Sequence, residues 1–141
     1  MSLESPVDLR IGALGDARFE AGVYVYTGSA ARGIRARVSR HLARRGPKRW
    51  HLDYLLPHVR IVHVEAHVRP GFTECELNRS GLEIPCAAPA LRGFGSSDCR
   101  CPAHLLRLPP ETVMPETGCG SQVRSSRGSD PGSDGRARPW S

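Results

Sequence analysis

From Pro110 to Ser141 the chain consists mostly of Gly, Ser, Pro and charged residues, and Val113, Met114, Val123 and Trp140 stand isolated in it. A stretch without apolar periodicity buries too little surface to offset its ordering entropy. The core of this 141-residue chain must therefore come from residues 1–109, a length that supports one small domain. Residues 110–141 read as a disordered Gly/Ser/Pro/Arg-rich tail in which Cys119 is an incidental thiol. No run approaches the roughly 20 apolar residues of a spanning helix, so no membrane partner is expected. The first residues carry Glu4 and Asp8 and lack a continuous apolar stretch, so no secretory signal is visible. A cytoplasmic protein with reduced cysteines is the expectation.

Upstream of the tail, strand and helix signals alternate without a repeated βαβ unit, which predicts a small α+β domain. Val7 to Ile11 reads as a strand, followed by the turn-rich Gly12–Asp16. The run Gly22-Val-Tyr-Val-Tyr-Thr-Gly28 is β-branched and aromatic between glycines, a second strand. Its alternation puts Tyr24 and Tyr26 on one face. A helix is expected over Arg32–Arg45, with Ile34, Val38 and Leu42 as its buried stripe and Pro47 as its stop. A second helix is expected over Trp50–Val59, with Leu52, Leu55, Leu56 and Val59 apolar. Ile61–Val68 alternates and predicts a strand burying Val62, Val64, Ala66 and Val68. A short helix should begin near Thr73, and a loop-rich stretch over Pro85–Pro102 should lead to a last strand at Leu105–Leu108.

Charge adds direction. There are 20 Lys+Arg against 14 Asp+Glu, a net charge of +6, and Lys48 is the one lysine. Between Gly22 and Asp53 no acidic residue occurs, while Arg32, Arg35, Arg37, Arg40, Arg44, Arg45, Lys48 and Arg49 all fall there. A field of one sign in one segment suits phosphate backbone, and DNA is the expected partner. The competing reading is a solvated basic face balanced by acids elsewhere in the fold. On the first helix Arg37 and His41 are four apart and share a face, joining a planar fork for phosphate oxygens to a proton-carrying imidazole.

These residues resemble a known family. Tyr26-Thr27-Gly28-Ser29-Ala30, followed by a helix bearing Arg37 and His41, resembles the second half of the GIY-YIG nuclease signature. The fuller run resembles a prokaryotic branch of that superfamily catalogued as a domain of unknown function. It is carried by Ala21–Ala30, Arg40-His41-Leu42, Trp50-His51-Leu52-Asp53-Tyr54-Leu55, Glu74-Cys75-Glu76-Leu77 and Gly93–Leu105, in the family's order. The resemblance implies an antiparallel sheet flanked by helices and a metal-dependent endonuclease that hydrolyses DNA phosphodiester bonds. It implies Tyr26 beside the attacking water, Arg37 on the scissile phosphate, His41 near the same phosphate, and Glu74 holding Mg²⁺ or Mn²⁺. Glu76 is the rival ligand, but Thr73-x-x-Glu76 also reads as a capping box, which would occupy it. The family's Gly-x-Tyr strand should precede the Tyr-x-Gly strand across a hairpin. Gly22-Val23-Tyr24 lies on the same strand as Tyr26, so the expected domain lacks that first strand. A catalytically impaired nucleic-acid-binding module is the alternative.

A third reading rests on Cys99-x-Cys101-x-x-His104. With Cys75 or Cys86 as fourth ligand, these residues could bind zinc and stabilise an interaction domain. His63, Glu65 and His67 would share one face of the strand expected at Ile61–Val68, where a weaker metal site is conceivable. His51 and Asp53, two apart on a helix, should not share a face.

Overall fold

The computed structural model describes residues 1–30, 33–44 and 46–110. Antiparallel pairing runs throughout, with the helices beside the sheets: a small α+β fold. The main sheet has the order β1-β4-β6-β5, formed by Ser2–Leu3 (β1), Gly22–Tyr26 (β4), Leu105–Arg107 (β6) and Ala88–Pro89 (β5). Val7–Arg10 (β2) and Asp16–Phe19 (β3) form a separate hairpin in which Val7 faces Phe19. Its connection is the turn expected at Gly12–Asp16, closed by Ile11 N–H on the Gly15 carbonyl at 2.8 Å. The Asp-Ala-Arg-Phe run of β3 alternates as a strand should, but it is too short to stand out from the turn before it.

β4 holds the middle of the sheet because it has partners on both sides. Ser2 faces Val23 on one edge, and Tyr26 faces Leu105 on the other. Tyr24 is 1% exposed, and its hydroxyl donates to the Glu20 carbonyl at 2.6 Å. The core gathers around Phe94, whose ring meets Phe19 and Tyr26 edge-on and also contacts His51. Phe94 comes from the stretch expected to be loop. Gly93 and Gly95, at φ +84° and +74°, turn the backbone on either side and drive the ring inward.

The helices differ in how they dock. His51–Leu55 (α2) continues into a 3-10 turn at Leu56–His58, and it buries Leu52, Leu55, Leu56 and Val59 as expected. Glu74–Leu82 (α3) lies close on β6, since a Cβ at Gly81 would stand 2.9 Å from Leu106 Cδ1. Asn78 on α3 is 1% exposed and fully engaged. Its amide donates to the Ala103 carbonyl at 2.8 Å, and its oxygen accepts from Thr27 Oγ1 at 3.4 Å.

Two expectations are overturned. Ile34–Ala43 (α1) forms within the expected helix, but the stripe of Ile34, Val38 and Leu42 is not buried, and Leu42 is 52% exposed. The helix is held at its edges by arginines instead. Residues 61–68 form no strand: Val62 and Val64 are exposed and Val68 is 82% exposed. Only Arg60 just before them bridges to β1, through reciprocal 2.8 Å bonds with Ser2. Alternation met no partner strand there, and without a ladder it produces no sheet. Arg32, Arg45 and the expected tail beyond Pro110 lie outside the described residues.

Candidate functional site

The end of β4, the inner face of α1 and the first turn of α3 converge. Tyr26 leaves the sheet beside Phe94, and its hydroxyl accepts from Arg37 Nη2 at 3.2 Å. Gly28 allows that approach, since a Cβ there would stand 2.8 Å from Arg37 Nη2 and 3.1 Å from Tyr26 Cε1. The Arg37 guanidinium also lies over the Trp50 ring, 4.7 Å from its centroid, which fixes the plane of the fork. Burial pushes the Tyr26 phenol above its ordinary value, and the Arg37 charge only partly opposes this. Tyr26 therefore carries its proton at neutral pH.

α3 delivers two carboxylates with different fates. Glu76 closes the capping box with Thr73: its Oε2 accepts from Thr73 N–H at 2.8 Å, and Thr73 Oγ1 accepts from Glu76 N–H at 3.2 Å. Glu74 turns toward β4 instead. Its Oε2 accepts from the Ser29 N–H, and its Oε1 lies 3.7 Å from His104 Nδ1.

Behind this face α1 is tied to α2 through Asp53. Asp53 Oδ2 accepts from Arg40 Nη2 at 2.8 Å, Arg49 N–H at 2.8 Å and Trp50 N–H at 3.0 Å. Burial alone would raise the Asp53 carboxyl, but these donors more than offset it and hold the group below its ordinary value. His41 Nδ1 is 3.6 Å from Asp53 Oδ1, and neither ring nitrogen has a hydrogen-bond partner. Burial, with Arg37 nearby, lowers the His41 pKa and favours the neutral ring. His51 does not pair with Asp53; its Nδ1 accepts from Gly95 N–H at 3.0 Å.

Next to Glu74 along α3 stands Cys75, and with it the structure assembles a second cluster. One ligand atom from each of Cys75, Cys99, Cys101 and His104 lies within 4.8 Å of the others. His104 Nε2 is 3.7 Å from Cys75 Sγ and 3.4 Å from Cys99 Sγ, and all three thiols are unpaired. Hydrogen bonding from Cys101, together with burial and Cys99, pushes the Cys75 thiol up to about 12. Cys75 therefore keeps its proton unless a cation takes its place. The donor set suits a soft-to-borderline metal such as zinc, and it is the one metal-competent group of three or more such side chains among the described residues.

Residues 1–122 match the family model described as "Domain of unknown function DUF123". The chain belongs to that family. No curated protein and no solved structure matches it.

The DUF123 chain brings together Tyr26, Arg37 and Glu74 from three separate stretches of sequence, with His41 behind them beside Asp53. It places Cys75, not Cys86, with Cys99, Cys101 and His104. Two arginines expected to face nucleic acid have partners within the fold, Arg40 on Asp53 and Arg44 on the Val59 carbonyl at 2.9 Å. Arg35 and Arg49 are exposed, and Lys48 sits over the Tyr54 ring. His63 does not join Glu65 and His67, which pair at 3.1 Å. Sequence reading missed Asn78 and Phe94 as residues that hold the site. A Gly-Phe-Gly triplet was the available signal for Phe94.

No helix among the described residues is long and apolar enough to cross a membrane.

Proposed function

We propose that this DUF123 domain is a metal-dependent endonuclease of the GIY-YIG kind, acting on DNA phosphodiester bonds. The observation that carries the reading is the convergence of Tyr26, Arg37 and Glu74 on the closely approached backbone at Gly28 and Ser29. The donor chemistry at Glu74 fits a hard divalent cation, because Mg²⁺ and Mn²⁺ are held by one or two carboxylates plus water and phosphate oxygens. Such an ion would supply Lewis-acid stabilisation of charge at the phosphate. Glu76 is occupied by its cap, which favours Glu74 as the carboxylate.

Arg37 has further guanidinium N–H groups beyond the one on Tyr26, and these would grip the non-bridging oxygens and stabilise their developing charge. Tyr26, protonated at neutral pH, acts better as an orienter of water than as a base. His41, neutral, would act from behind Arg37, since both of its ring nitrogens are buried. Arg35, Arg49 and Lys48 would track the flanking backbone. The test is nicking of supercoiled plasmid with Mg²⁺ or Mn²⁺. Arg37→Ala and Glu74→Gln should each lower the rate by on the order of a hundredfold or more. Normal cleavage by both variants, or cleavage indifferent to the ion, would overturn the proposal.

A second reading has its own observation. Tyr24 is buried with its hydroxyl committed to Glu20, so among the described residues Tyr26 is the one tyrosine of β4 at this cleft. A nucleic-acid-binding module would use the same basic face without turnover. Salt-dependent duplex binding without metal-dependent nicking would select it.

A further inference from the structure

His104 faces two ways. Its ring is completely buried, with Nε2 among the sulfurs and Nδ1 directed at Glu74, and Nδ1 has no hydrogen-bond partner. The His104 backbone is fixed on both sides: its N–H donates to the Phe94 carbonyl at 2.7 Å, and its carbonyl accepts from Thr27 N–H at 3.0 Å. We propose that Cys75, Cys99, Cys101 and His104 bind a single Zn²⁺ in a closed tetrahedral centre, and that Glu74 is the outer carboxylate that orients its histidine.

The two measured His104–sulfur distances match that geometry, and all four ligand atoms lie within 4.8 Å of one another. Zinc bonds of about 2.3 Å to sulfur and 2.0–2.1 Å to nitrogen set the edges of a tetrahedron at about 3.5 Å for S···N and 3.8 Å for S···S. The two S···N separations measured here are 3.4 and 3.7 Å. Four protein ligands leave no position for water, so the centre is structural rather than catalytic. Binding deprotonates the three thiols and takes the neutral imidazole through Nε2, releasing three protons. The ring's remaining proton would then sit on Nδ1, facing Glu74 Oε1 across 3.7 Å, a gap that a small closure on metal binding would turn into a hydrogen bond. Carboxylate, histidine and zinc in this order are the recurring way a ligand ring is held in one tautomer and orientation. The centre would also join the first turn of α3 to the Gly93–His104 loop that inserts Phe94 into the core.

The arrangement makes Glu74 common to both centres, yet the zinc proposal stands apart from nuclease activity, and none of its readouts uses DNA. Full-length protein prepared with zinc should contain one Zn²⁺ per chain by elemental analysis. Replacement by Co²⁺ should give thiolate-to-cobalt charge transfer and strong tetrahedral d–d absorption, a measurement that needs no variant to fold. Cys101→Ser should weaken the charge-transfer band. Glu74→Gln should lower zinc affinity roughly 10–100-fold in competition with a chromogenic chelator, the usual effect of losing an outer partner, while Glu76→Gln should leave it unchanged. Absence of stoichiometric metal, iron in place of zinc, or a cobalt spectrum without thiolate bands would overturn the centre. Unchanged affinity in Glu74→Gln would overturn the role given to the carboxylate.

Discussion

Two stretches of this chain exchange the roles their sequences advertise. Residues 61–68 alternate apolar and polar like a half-buried strand, yet they pair with nothing among the described residues and leave Val62, Val64 and Val68 exposed. Residues 93–104 are rich in glycine, serine and cysteine and read as a loop, yet they bury Phe94, Ala103 and His104 completely. Periodicity reports what a segment would bury if a surface were opposite it. A ladder needs a partner strand, and residues 61–68 have none. A loop needs only a few inward side chains and satisfied backbone groups. The 93–104 segment has these: Gly93 N–H on the Pro102 carbonyl at 2.8 Å, His104 N–H on Phe94, and His51 on Gly95 N–H.

The largest test of this contrast is Phe94→Ala. Removing the ring that Phe19, Tyr26 and His51 surround should cost about 3–5 kcal/mol, read as a loss of denaturant midpoint with the slope unchanged. A cost below about 1 kcal/mol would mean that the loop is not part of the core.

Asn78→Ala comes next, because it leaves the Thr27 hydroxyl and the Ala103 carbonyl without their buried partner. A destabilisation of about 1–3 kcal/mol is expected by the same measurement. No change would show that water replaces the amide.

Asp53→Asn should cost about 0.5–2 kcal/mol near neutral pH, within the range of lost caps and partly buried charged hydrogen bonds. The pH dependence gives the sign. The Asp53 carboxyl is held below its ordinary value in the fold, so its contribution is fully present above the unfolded value near pH 3.9. It is lost as the pH falls through the lower folded value. The stability gap between wild type and Asp53→Asn should therefore close in acid, and a gap independent of pH would exclude this ion pair as its source.

The smallest effect belongs to the other stretch. Val62→Ser with Val64→Ser should change stability by no more than about 0.5 kcal/mol, as surface substitutions do. A larger loss would show that residues 61–68 pack after all.

Much of the local structure was legible from residue order. The Gly22–Tyr26 strand, the Leu52-x-x-Leu55-Leu56 apolar set and the Thr73–Glu76 cap each depend on neighbours a few positions away. Arg37 and His41 were readable as a pair for the same reason, since helical spacing alone puts them together. The thiol ligands at Cys99 and Cys101 were visible, but the choice of Cys75 over Cys86 was not. Nothing in local spacing says that α3 starts beside the loop that carries His104.

The sequence by itself determined the Gly22–Tyr26 strand, the three helices and the chemical types at the site: a tyrosine at a strand end, an arginine on a helix, a carboxylate in a first turn, and a set of thiols with a histidine. Only the tertiary structure decided which partners those groups have. It bent the basic segment back onto Asp53, aimed Glu74 toward Ser29 and His104 while Glu76 kept the cap, and drove Phe94 inward between two left-handed glycines. Local elements follow from short-range sterics and periodicity, whereas these pairings join residues far apart in the chain. They are set by the packing of α3 on β6 and by the need of each buried polar group for a partner.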